Sequence, residues 1–178
     1  MGADLRPAEL ARRYVFHGRL SREERKQRWK EAKNEFKKRL EAFKRGKIRL
    51  KPSDDGLLEL AFFTALMSRN VSNSQLRRLY AEITNVRNEA RRAREGKRSW
   101  EEDVVAALGK ARVVLAYTKG RQGKEFERLY EVLDEALRRA TKIVEESEDD
   151  DVRRRAIEAL HFLAEGIIAF HRFLGGRN

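Results

Sequence analysis

Residues 57–67 read L-L-E-L-A-F-F-T-A-L-M, and the reading of this stretch decides the fold. Leu57, Leu58, Leu60, Phe62, Phe63, Ala65, Leu66 and Met67 are apolar. At about 100° per residue they cover nearly the whole circumference of a helix, so the segment belongs inside a bundle rather than on its surface. It is too short to span a bilayer, and Glu59 interrupts it. A short helix buried on all sides requires other helices around it, and the flanking sequence supplies them.

Upstream, Ser21 and Glu24 form a capping box that opens a helix running to about Arg45. Its apolar stripe is thin: Trp29, Ala32, Phe36, Leu40 and Phe43, with lysine and arginine over much of the rest. Gly46 stops it, and residues 47–56, with Pro52 and two aspartates, read as a linker. Downstream, a turn at 69–73 precedes a helix from Ser74 to about Glu95, started by a second capping box, Ser72 with Gln75. Ser99 and Glu102 form a third box, opening a helix expected to end at Thr118. The basic stretch K-G-R-Q-G-K (119–124) then reads as a turn between two glycines. A helix over 125–146 and another over about 152–174 complete the chain, the last started by aspartates of an acidic turn and closed by Gly175 and Gly176. Strand-like alternation is absent. The expected fold is therefore all-α, a bundle of about five helices over 57–176 with a basic N-terminal helical arm over 1–51.

Charge is unevenly placed. The 178 residues carry a formal net charge of +12. Residues 1–51 hold 18 Lys/Arg against 7 Asp/Glu, whereas the rest holds 23 against 22. A basic block of this kind suits a polyanion, because neutralising phosphates releases condensed counterions. The same cations could equally form a solvated helix face. There are no cysteines, which removes disulfides, thiolate zinc sites and thiol nucleophiles together and makes the cytoplasm the expected compartment.

Catalytic chemistry finds little support. His161 and Glu165 lie one helical turn apart and His171 six residues on, but a metal site needs a third ligand in the right geometry. No nucleophile elbow, phosphate-binding glycine loop or paired-carboxylate motif is present, so neither an active site nor a cofactor is expected. Binding chemistry is better represented. In the helix after 70–73, Leu76, Leu79, Tyr80, Ile83, Val86 and Ala90 share one face. Arg78, Asn85 and Arg92 fall opposite, flanked by Arg77, Thr84, Asn88 and Arg91, a mixture suited to phosphate and ribose oxygens. A solvated face with an Arg78–Glu82 pair is the alternative. In the 119–124 turn, amides freed by Gly120 and Gly123 would suit an anion.

Three segments together resemble a known family. V-S-N-S-Q-L-R-R-L-Y-A-E-I (71–83), L-A-Y-T-K-G-R (115–121) followed by Phe126 and Leu129, and H-F-L-A-E-G-I-I-A-F-H-R-F-L-G-G (161–176) are similar, in order and spacing, to the small all-helical subunit of type III-A CRISPR effector complexes. In the last segment Gly166 stands where alanine is more usual. Residues 1–51 have no counterpart in the pattern. The resemblance implies a non-catalytic subunit without cofactors, stacked in several copies beside the crRNA-binding backbone subunits and the large subunit. It implies contact with crRNA paired to target RNA through phosphate and sugar, with no membrane role. Carried onto this chain, the RNA contacts are Ser74, Gln75, Arg77, Arg78, Lys119 and Arg121, with Asn85 and Arg92 added from the helical face. A protein–protein adaptor with a basic surface is the competing expectation.

Overall fold

The computed structural model describes residues 7–15 and 20–176. Its elements are α1 (Pro7–Tyr14), α2 (Arg22–Lys44), α3 (Asp55–Met67), α4 (Asn73–Arg94), α5 (Val105–Gln122), α6 (Glu127–Glu146) and α7 (Asp150–Phe173), and there is no strand among the described residues. A π-helical turn, Trp100–Val104, leads into α5, and a 3₁₀ turn, Gly123–Phe126, leads into α6. The all-α bundle is as expected: α3 to α7 form five packed helices, and α1 and α2 precede them and add to the same core.

Burial explains the arrangement. Helix α7 packs against α3, α4 and α6, while α5 closes the bundle against α4 and α6. Helix α3 is buried around most of its circumference, as its composition requires: Leu57, Leu60, Phe62, Phe63 and Leu66 have essentially no exposure. Buried Thr64 satisfies its hydroxyl by donating to Leu60 O at 2.6 Å. Edge-to-face rings run from α1 to α7, with Tyr14–Phe63, Phe62–Phe63 and Phe62–Phe170 centroids 5.4, 5.3 and 5.5 Å apart. At Gly166 an added Cβ would stand 3.1 Å from Ala61 Cβ, so this glycine lets α7 cross α3 closely.

Helix α2 lies on α3 through Ala32, Phe36, Leu40 and Phe43, all buried, and α1 lies on α2. Its capping box is formed as expected, with Glu24 N donating to Ser21 Oγ and Ser21 N to Glu24 Oε2. The connection to α3 is packed rather than loose: Ile48 and Leu50 are buried, and Arg139 Nη1 donates to Phe43 O at 2.7 Å and Ile48 O at 3.2 Å.

Two local expectations are corrected. The return bond at Ser99 comes from Asp103, not Glu102: Ser99 N donates to Asp103 Oδ2 at 2.8 Å, while Glu102 N donates to Ser99 Oγ. The first turn is π-helical, with Val104 N bonded to Ser99 O, and the wider turn brings the carboxylate one residue further along into place. Second, α5 does not end at Thr118. It continues through Lys119, Gly120 and Arg121 to Gln122, and the chain turns only at Gly123, whose φ is 65°. Helical continuity and packing against α6 carry the helix through Gly120, whose amide belongs to the helix rather than to an anion-binding turn.

Candidate nucleic-acid interface

The N-terminus of α4 is held from both sides. Ser72 N donates to Gln75 Oε1 at 3.1 Å, and Gln75 N donates to Ser72 Oγ at 3.4 Å, so the expected box is formed. Ser72 Oγ also lies 3.0 Å from Ser74 Oγ. From beneath, Nδ1 of the fully buried His171 lies 3.2 Å from Asn73 Oδ1. Burial lowers the His171 pKa below its ordinary 6.5, against the raising effect of nearby backbone carbonyls at Val71, Ser68 and Arg69. The turn before α4 is therefore fixed rather than a free loop, and it sets the direction of the helix N-terminus.

Along α4 the apolar face is buried as the periodicity requires: Leu76, Leu79, Ile83, Val86, Ala90 and Ala93. Arg77 and Arg78 are exposed on the other side, and among the described residues neither has an ion pair or hydrogen bond. The Arg78–Glu82 pair considered from sequence does not form, because Glu82 pairs with Lys110 of α5 at 3.1 Å. Asn85 is exposed. Arg92 is exposed but engages Glu89 at 3.1 Å, a weak surface pair that a stronger anion could displace.

The tertiary fold brings the two separated motifs together. Gln75 and Arg78 of α4 line a groove of about 190 Å³ with Tyr117, Thr118, Arg121 and Gln122 of α5. Arg121 lies 5.8 Å from the centre of the Tyr117 ring and donates to its hydroxyl at 3.4 Å. Lys119 points elsewhere, to Glu127 at 2.9 Å, with its ammonium 4.2 Å from the centre of the Tyr130 ring. The hydrogen bond to Glu127 raises the Lys119 pKa. Gln75, Arg78 and Arg121 thus share one groove, Ser74 and Arg77 stand exposed in the first turns of α4, Asn85 and Arg92 follow along α4, and Lys119 faces α6.

A second groove, of about 280 Å³, had no clear sequence signal. Arg91 and Arg94 of α4 meet Arg154 of α7 there, beside Arg87, whose guanidinium pairs with Glu158 at 3.0 Å. Convergence of two helices creates it, and no single helical pattern reports that. The histidines each have separate partners. His161 Nε2 lies 3.5 Å from Thr84 Oγ1, and its Nδ1 lies 3.9 Å from Glu165. Among the described residues no three His, Cys, Asp or Glu side chains come together as a metal site. No helix of the described residues is long and apolar enough to cross a membrane.

Compared with known proteins, residues 59–177 match the family model described as Csm2 Type III-A. No curated protein and no solved structure matches the chain.

Proposed function

The chain belongs to the Csm2 Type III-A family and is a small subunit of a type III-A CRISPR complex, and from this premise we propose that it grips the crRNA–target RNA duplex by its backbone. The observation that carries the reading is the pair of unpartnered arginines, Arg77 and Arg78, at the fixed N-terminus of α4 and next to the groove shared with Arg121. Guanidinium groups bind phosphate oxygens in bidentate fashion, and the hydroxyl of Ser74 can reach sugar or phosphate without adding charge. The helix N-terminus adds a partial positive charge at the same place. Such contacts carry no sequence information, which suits a complex whose guide supplies it by base pairing. The subunit is non-catalytic in this reading. It acts in the cytoplasm, in antiviral defence, stacked in several copies beside the backbone and large subunits. Repetition along one RNA gives avidity from individually weak contacts.

The test is the assembled complex carrying Arg77→Glu with Arg78→Glu. RNA retention should fall while helix content, read by circular dichroism, stays constant. Undiminished retention would remove this face from consideration. The adaptor reading has one observation in its favour: Val113 and Tyr117 of α5 are 68% and 54% exposed, an apolar surface beside the groove. Purified protein that carries no nucleic acid absorbance at low salt, and whose complex assembly is lost on Val113→Asp, would support the adaptor instead.

A further inference from the structure

We infer that α2 carries a second RNA-backbone surface, formed by Arg22, Lys26, Lys30, Lys33 and Lys37, outside the segment that defines the family. The family match begins at residue 59, so nothing in it accounts for these cations.

These five residues are spaced 4, 4, 3 and 4 apart, which keeps them within about 40° of a common line along the helix. At 1.5 Å per residue the line runs for about 22 Å, with a positive charge at roughly every turn. A solubilising face has no need of such alignment.

Arg28 Nη1 donates to Arg13 O at 2.5 Å, and Arg39 pairs with Glu35 and, at 2.8 Å, with Glu59 of α3. Among the carboxylates, Glu24 serves the cap, Glu31 accepts from Gln27 and Glu35 is held by Arg39. Glu23 and Glu41 lie nearest the two ends of the cationic line, and Glu41 faces Lys44 and Arg45 at 3.8 and 3.9 Å. Among the described residues the five cations of the line have no ion pair. The part-buried Arg28 and Arg39 are engaged, and the line is left open, as are exposed Arg25 and Lys38 off it.

The apolar face of α2, Ala32, Phe36, Leu40 and Phe43, is already buried on the bundle, so the helix has nothing to insert into a bilayer. Lysines on flexible stems suit an irregular row of phosphates better than a fixed pattern of carboxylates. The surface also joins the α4 site. Lys33 Nζ lies 5.7 Å from the centre of the Trp29 ring, and the guanidinium of exposed Arg69 lies 5.6 Å from the same ring. Arg69 sits in the turn that leads to Ser72, Ser74 and Arg77. Positive charge therefore continues from α2 across Trp29 to the start of α4, along a course one strand could follow.

The experiment uses the full chain and a labelled single-stranded RNA of mixed sequence, with binding followed by fluorescence anisotropy over a range of salt. The variant is Lys26→Gln, Lys30→Gln, Lys33→Gln and Lys37→Gln together. Glutamine is a good helix former, so circular dichroism should be unchanged. For a single strand, each phosphate left without its cation lowers the slope of log K against log salt by about 0.7, so the variant should lose between about 2 and 3 units of slope. An Arg77→Gln, Arg78→Gln variant is measured alongside. Loss in the lysine variant alone upholds the α2 surface and leaves the α4 reading to the assembled complex carrying the duplex. Loss in the arginine variant alone overturns the α2 surface and leaves the α4 reading intact. An unchanged slope in the lysine variant, with loss of binding to a polyglutamate peptide, would assign the line to an acidic protein and also overturn it.

Discussion

Acidification should weaken this protein before its carboxylates titrate, because two histidines are buried in neutral form. His171 has no exposed surface and His161 is 6% exposed. Burial lowers both pKa values below 6.5; at His161 the positive charge of Arg87 adds to the effect, and Glu165 and Glu158 oppose it. The unfolded chain titrates near the ordinary value, so below pH 6.5 unfolding takes up protons that the folded state refuses. Stability is therefore fully present above about pH 6.5 and is lost as pH falls toward the folded-state pKa values. In that window each histidine contributes a slope of up to about 1.4 kcal/mol per pH unit. The assay is urea unfolding at several values between about pH 7.5 and pH 5, with a His171→Gln variant in parallel. The variant keeps a polar group within reach of Asn73 but cannot titrate, so its stability curve should be shallower by up to half. The consequence is local: with Nδ1 facing the acceptor Asn73 Oδ1, the added proton goes to the buried, unpartnered Nε2 and strains the packing beneath the start of α4. A wild-type stability that stays level down to about pH 5.5 would refute the reasoning, and so would a His171→Gln curve as steep as the wild type.

Two further outcomes test the packing. Phe63→Ala removes a fully buried ring that touches Tyr14, Phe62 and the Arg39 guanidinium, so it should cost about 3–5 kcal/mol in chemical denaturation and make the chain between α1 and α3 the first site of limited proteolysis. Gly120→Ala lies inside α5 with nothing within 4 Å of the new Cβ, so it should stabilise the isolated protein by about 0.5–1 kcal/mol, and a fall in melting temperature would contradict the helical assignment at that position.

Much of the fold could be read locally. The all-round apolar character of 57–67 anticipated the buried α3, and Ser21 with Glu24 and Ser72 with Gln75 marked two helix starts that the structure forms as capping boxes. The apolar positions of α4 and the chain turn near 148 followed from period and caps in the same way. Where the sequence misled, the deciding force came from elsewhere. Gly120 looked like a stop, but packing of α5 on α6 carries the helix past it. At 99–103 the π-helical turn moved the return bond from Glu102 to Asp103.

The candidate interface divides along the same line. Sequence by itself determined which residues face away from the core on α2 and α4, because helical period and capping act within a few residues of their cause. Only the tertiary structure decided which of those cations remain open. Lys110 took Glu82 from Arg78, Glu127 took Lys119, and Glu158 took Arg87, each across a helix boundary. It also brought Arg78 and Arg121, 43 positions apart in the chain, to one groove. Charge pairing and convergence depend on which helices pack side by side, and that is settled by burial of the whole core rather than by any one segment.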